Sequence, residues 1–151
     1  MTKPYYDQSL ALLTDLGSAV ARLKEVIPLS PTRLHKDATI KRFEFTFELC
    51  WKLMQATVRY LGTDVFGPRE SIRMAVRYDL ITEPEQWMNL LNARNVAMHV
   101  YEETKADEVY EQARFLPPLV DALVSRAGKK LAEETTTGGA VGETDHETRS
   151  E

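Results

Sequence analysis

The chain has 151 residues, 43% of them hydrophobic and 28% charged, with a net charge of −4. That length supports one domain with a proper core, and a lone cysteine, Cys50, excludes an internal disulfide and suits a reducing cytosol. No apolar run approaches the roughly 20 residues of a membrane span, residues 1–7 lack a signal-peptide core, and electrostatic capture of nucleic acid by the whole body is not indicated, so the expected location is cytoplasmic.

Residues 5–26 form the first predicted helix, where Leu12, Leu16, Ala19, Leu23 and Val26 recur at three- and four-residue steps. Pro28 and Pro31 end it, and the segment to Lys36 reads as a loop. The second helix, 37–61, closes on Gly62. Phe43, Phe47, Cys50 or Trp51, Met54, Val58 and Leu61 mark one apolar stripe on it, and Phe45, Leu49, Leu53, Ala56 and Tyr60 mark another. A helix apolar over so much of its circumference is central in a bundle or shared with a second subunit.

Gly67-Pro68 opens a short third helix that ends near Leu80, with Pro68 suited to the first turn. Its Arg69, Arg73 and Arg77 recur at i+4 and project as one basic ridge, either a solvated face or an RNA-binding one. Thr82 and Glu85 fit a capping box for a fourth helix reaching His99. Thr104 and Asp107 give a similar start for the last helix, to about Ser125. Pro117-Pro118 falls inside its stripe of Val109, Ala113, Leu116, Val120 and Leu123, and should kink or split it.

From Gly128 onward Thr, Gly and Glu dominate, and this stretch carries −3 of the net charge, leaving −1 on the body. So few apolar residues cannot offset the entropy of ordering. Residues 1–127 are therefore the expected bundle and 128–151 an expected disordered tail. Without an alternating strand pattern, a repeat or a glycine-rich phosphate loop, the fold class is all-α.

The most informative stretch is Arg94-Asn95-Val96-Ala97-Met98-His99-Val100-Tyr101. Arg94 falls inside the apolar stripe of Trp87, Leu90, Leu91, Ala97, Met98 and Tyr101. Burying an unpaired guanidinium costs several kcal/mol. The side chain must snorkel outward or meet a carboxylate, a subunit interface or a phosphate. His99 does not share its face, because five helical residues rotate it about 140° away, onto a ridge with Asn95 and Asn92. A helix ending near His99, or a second copy across a symmetric interface, could bring the two together. No metal or other cofactor is expected, since His35 and His146 have no ligand spacing to His99 and Cys50 is alone.

Three segments resemble the HEPN superfamily: Phe43-Glu44-Phe45-Thr46-Phe47-Glu48-Leu49-Cys50-Trp51-Lys52, Gly67-Pro68-Arg69-Glu70, and Arg94-Asn95 with His99 and Tyr101. The branch they match is that of the nucleotidyltransferase substrate-binding proteins, related to HepT toxins, over roughly residues 5–124. The resemblance implies a four- to five-helix, up-and-down HEPN bundle that forms a homodimer around the motif helix. It also implies a cognate minimal nucleotidyltransferase, an MntA-like antitoxin. HepT-like members are metal-independent ribonucleases whose R-x4-H motif is catalytic, and whose partners silence them by adding AMP to the tyrosine of R-x4-H-x-Y.

By that resemblance Arg94 and His99 are the catalytic pair, Asn95 the supporting polar residue, Tyr101 the modification site and RNA the substrate. Met98 and Val100 stand where related members tend to have small hydroxylated residues, an apolar change that fits an interface role. Three functions compete. The first is a toxin ribonuclease of a two-component toxin–antitoxin system. The second is a non-catalytic substrate-binding subunit of a minimal nucleotidyltransferase. The third is a structural helical dimer in which Arg94 pairs internally with Glu44 or Glu48.

Overall fold

The computed structural model describes residues 3–29 and 32–149, with the side chains of 4–29 and 32–133. Among these residues the chain is helical, without a strand. It comprises α1 (Lys3–Val26), α2 (Arg33–Tyr60), α3 (Pro68–Arg77), α4 (Pro84–Val96), a single 3₁₀ turn (Ala97–His99), α5 (Glu103–Ala113) and α6 (Leu116–Arg149). The expected all-α bundle is observed, with six helices instead of four or five. The added helix has a local cause. The last predicted helix breaks at Arg114 and Phe115, so that Pro117 and Pro118 fall in the first turn of α6, where their missing N–H groups leave no gap.

α1 and α2 run antiparallel. The rings of Tyr6 and Tyr60 meet at 5.3 Å at one end, and Arg42 donates to the Arg22 carbonyl at 2.7 Å toward the other. α2 begins at Arg33, earlier than the expected start near Asp37. The reason is Thr32, which adopts an extended backbone and accepts the His35 N–H through Oγ1 at 3.2 Å, a side-chain cap. Ser30 and Pro31 lie outside the described residues. At its other end α2 stops before Gly62, whose φ of 113° suits a residue without Cβ.

The two expected capping boxes do not form. α4 starts directly at Pro84, and α5 starts at Glu103 with Thr104 already inside it. Neither preceding residue makes a side-chain cap bond. The fixed φ of Pro84 starts its helix without one.

α2 is the hub of the molecule, packed against α1, α3, α4, α5 and α6. Phe43, Phe47, Cys50, Leu53, Met54 and Val58 are fully buried, so much of both apolar stripes enters the chain's own core. Phe45 and Leu49 stay half-buried. Trp87 of α4 lies with its ring centre 6.2 Å from that of Phe47, which fixes α4 against α2. Of the buried hydroxyls, Ser9, Thr39 and Thr46 each donate to the carbonyl four residues earlier, Thr57 donates to Ser9 on α1 at 3.5 Å, and Ser71 has no partner among the described residues.

α6 runs on past the expected boundary at residue 127. Gly128 lies within α6, and Leu131 is 1% exposed, so residues 128–133 belong to the bundle. The four-residue register that buries Leu123 and Ala127 comes round once more at Leu131. A composition average over 128–151 hides the position of Leu131. The rest of the expected tail, including His146, lies outside the residues whose side chains are described. No helix among the described residues is long and apolar enough to cross a membrane.

Candidate functional site at the end of α4

α4 carries Trp87, Leu90, Leu91 and Ala93 into the core and ends at Val96. The next three residues tighten into a 3₁₀ turn, advancing about 120° per residue in place of 100°. Ala97 remains buried, but Met98 and Tyr101 emerge, each 79% exposed. The expected stripe therefore ends earlier than its spacing suggests: the change of helical pitch turns its last members out to solvent. His99 is exposed as well.

Arg94 lies in the last turn of α4, where the negative end of the helix dipole favours a cation. Its Nη2 donates to Glu48 Oε2 at 2.9 Å, and its Nη1 donates to Asn95 Oδ1 at 3.3 Å. Arg94 and Glu48 are 31% and 32% exposed, so neither charge is fully desolvated. Lys52 flanks the same carboxylate at 4.0 Å. An internal ion pair to Glu48, one of the alternatives raised by the sequence, is thus present. It is compatible with a further role, because a guanidinium has five N–H donors and these two bonds use two of them.

No hydrogen bond or ion pair among the described residues joins Arg94 to His99. His99 Nδ1 instead shares a hydrogen bond with the Tyr101 hydroxyl at 3.3 Å, the two rings standing edge to face. The motif therefore presents two units, Arg94 held by Glu48 and Asn95, and His99 held by Tyr101.

Each unit faces its own cleft. Arg94 and Met98 line one of about 400 Å³ with Lys41, Glu44, Phe45 and Glu48 of α2. Burial raises the Glu44 carboxyl above its ordinary range, opposed by the nearby charges of Lys41 and Arg94. Val100 and Tyr101 line the other, of about 370 Å³, with Arg33, Lys36 and Asp37 at the start of α2 and Glu103 and Asp107 of α5. Lys36 pairs there with Asp107 at 2.8 Å, a bond that raises its pKa.

Sequence reasoning did not find this second cleft, because it read residues 32–36 as loop. The helix signal it passed over is Thr32, three residues before the amide that it caps. Nor did it find Lys41 as a neighbour of Arg94, and it left Glu44 and Glu48 as alternatives, since the juxtaposition depends on how α4 packs on α2.

Arg69, Arg73 and Arg77 are exposed on α3, as their spacing requires, and line neither cleft. Cys50 is fully buried, which pushes its thiol well above the ordinary pKa. Among the described residues, no group of three or more His, Cys, Asp or Glu side chains is placed to hold a metal ion.

A family model described as "Nucleotidyltransferase substrate binding protein like" matches residues 11–126. A Haemophilus influenzae protein named probable ribonuclease HepT is 33% identical over 78 residues, which cover 48% of this chain and 53% of the relative. The chain thus spans about half the length of that relative. A crystal structure of a Thermus thermophilus protein is similar with a TM-score of 0.70 and 30% identity, over 74% of this chain and 98% of the other. A second structure, from Haemophilus influenzae and described as the fold of a substrate binding domain of a nucleotidyltransferase, shares the fold. Its TM-score is 0.59 and its identity 22%, over 81% of this chain and 98% of the other. With more than half of its length matched and its helices superposable on both structures, the chain belongs to the nucleotidyltransferase substrate binding protein-like family, within the HepT-like resemblance drawn from its motifs.

Proposed function

We propose that the chain is a HepT-like toxin ribonuclease of a two-component toxin–antitoxin system, acting on RNA through Arg94 and His99 as a cytoplasmic homodimer. A partner minimal nucleotidyltransferase silences it by adding AMP to Tyr101. The observation that carries this reading is the contact of an exposed imidazole, His99, with an exposed phenol, Tyr101, at 3.3 Å, on the same motif as an arginine with donors to spare.

The chemistry follows from those groups. Neutral His99 takes the proton of a ribose 2′-hydroxyl, whose oxygen then bonds to the adjacent phosphorus. The 5′-oxygen leaves with a proton from the second His99 of the dimer, and a 2′,3′-cyclic phosphate remains. Arg94 grips the phosphate oxygens with the N–H groups that Glu48 and Asn95 do not occupy, stabilising the developing charge. Neither step needs a metal. The two copies of the motif form a composite cleft, which resolves the separation of Arg94 from His99 within one chain.

Silencing acts at the same atoms. The Tyr101 oxygen attacks the α-phosphate of ATP, loses its proton and releases pyrophosphate. The product places a phosphodiester and a nucleoside against His99, blocking RNA by charge and volume.

The second reading, a substrate-binding subunit without chemistry, is favoured by the lack of an Arg94–His99 contact and by the exposed, apolar Met98. One experiment separates the two. Expressed alone, the wild-type chain should arrest growth, whereas Arg94→Ala and His99→Ala should be harmless and still fold. Co-expression with the partner nucleotidyltransferase should add AMP mass, and Tyr101→Phe should abolish the addition. A harmless wild type would leave the subunit reading standing.

A further inference from the structure

The cleft beside Arg94 holds a carboxylate that the chemistry above leaves unused. Glu44 lies one turn before Glu48 on α2 and lines the same space as Arg94, Phe45 and Met98. Unlike Glu48, it makes no hydrogen bond or ion pair among the described residues. A partly desolvated carboxylate without a donor is an unfavourable arrangement, relieved by any ligand that offers N–H groups. Beside it stand the half-buried ring of Phe45 and the exposed thioether of Met98, two apolar surfaces for a flat ligand. The cleft's volume of about 400 Å³ falls within the range of small-molecule sites, roughly 300–1,000 Å³.

A guanidinium for phosphate, an apolar wall for a ring and a carboxylate for its edge together suit an unpaired nucleotide. The carboxylate also discriminates among bases. Its two oxygens accept two parallel N–H bonds, and among the four RNA bases guanine presents adjacent N1–H and N2–H donors on its Watson–Crick edge. Adenine and cytosine set a ring acceptor beside their amino group, and uracil sets a carbonyl on each side of its N–H. Those acceptors would face the carboxylate and be repelled.

We propose that Glu44 is a guanine-reading residue, holding the base against Phe45 and Met98 while Arg94 takes the adjoining phosphate. This inference deepens the ribonuclease reading and rests on it for one consequence, that single-stranded RNA is cut beside guanine.

The test titrates the full chain with guanosine 5′-monophosphate and, separately, adenosine 5′-monophosphate. The wild type should bind the guanine nucleotide on the order of tenfold more tightly, the scale of a charge-assisted bond. Glu44→Gln keeps the side chain's shape and removes no structural bond, so it should fold. Its amide faces the guanine donors with a donor of its own, and the ratio between the two nucleotides should fall to about one. Equal binding in the wild type, no binding of the guanine nucleotide, or a preference that survives Glu44→Gln would each overturn the proposal.

Sequencing the ends left by cleavage of a random RNA pool, run in parallel, separates it from the reading beneath it. Guanine enriched beside the cut in the wild type but not in Glu44→Gln supports it. Cutting without base preference overturns Glu44 as a reader and leaves the ribonuclease. Absence of cutting, with the nucleotide preference intact, removes the ribonuclease and leaves the guanine site.

Discussion

Arg94 is two-thirds buried, and the residues around it determine what that placement costs. An exposed ion pair contributes up to about 1 kcal/mol, whereas breaking a fully buried one costs about 3–5 kcal/mol. The Arg94–Glu48 pair lies between these limits. Glu48→Ala should therefore destabilise the fold by roughly 1–2 kcal/mol in a denaturant titration. In an Arg94→Ala background the same change should cost much less, since the carboxylate has lost its cation. Equal losses in both backgrounds would show that the 2.9 Å contact contributes no coupling. That Arg94 had either to snorkel outward or to meet a partner was legible in the sequence, because an arginine inside an apolar stripe is a conflict that something must resolve. Which of Glu44 and Glu48 resolves it was not legible, because the two differ only by one turn of α2 and the choice depends on the axial position of α4.

At the scale of elements, local rules were reliable where a single residue dictates geometry. Pro117-Pro118 split the last helix, and Gly62 ended α2. They failed where a pattern had a cheaper alternative. Thr82 was not needed as a cap once Pro84 began α4, and Thr32 capped α2 although it lies between prolines and a histidine. Thr32→Ala should accordingly lower stability by about 1 kcal/mol, measured as the shift in unfolding free energy. Thr82→Ala should leave it nearly unchanged. The opposite ranking would mean that Thr32 Oγ1 does not hold the His35 amide. The early start of α2 has a functional side, since it builds the wall of charged residues facing Tyr101. The 3₁₀ turn matters similarly, because a continuous α-helix would keep Met98 in the buried stripe with Arg94.

For the whole molecule, α2 resolves much of the apolar surplus that its sequence announces, being surrounded by five other helices of the same chain. Besides exposed Leu34, Phe66 and Phe115, apolar surface remains at half-buried Phe45 and Leu49 and at exposed Met98 and Tyr101. A two-fold pairing at the edge of that surface, with Phe45, Met98 and Tyr101 left open to the clefts, closes on itself and would bring two copies of the motif together. Light scattering at micromolar concentration should give twice the chain mass, both for the full chain and for one ending at Glu133. A chain ending at Ala127 loses Leu131 and should be less stable by about 1.5–3 kcal/mol. A stable monomer that still cuts RNA would dispose of the composite cleft.

The sequence by itself determined the helical class, the hub helix, the arginine in conflict with its surroundings and the resemblance that names the family. The first three follow from periodicity or from residue types that allow few conformations, and the last from the likeness of three segments to known members. The tertiary structure alone decided that Glu48 holds Arg94, that Glu44 is left without a donor, that His99 meets Tyr101 and that the bundle continues to Leu131. Each of these depends on the position of one helix along another or on a change of pitch within a single turn, and hydrophobic spacing specifies which face is buried without specifying either.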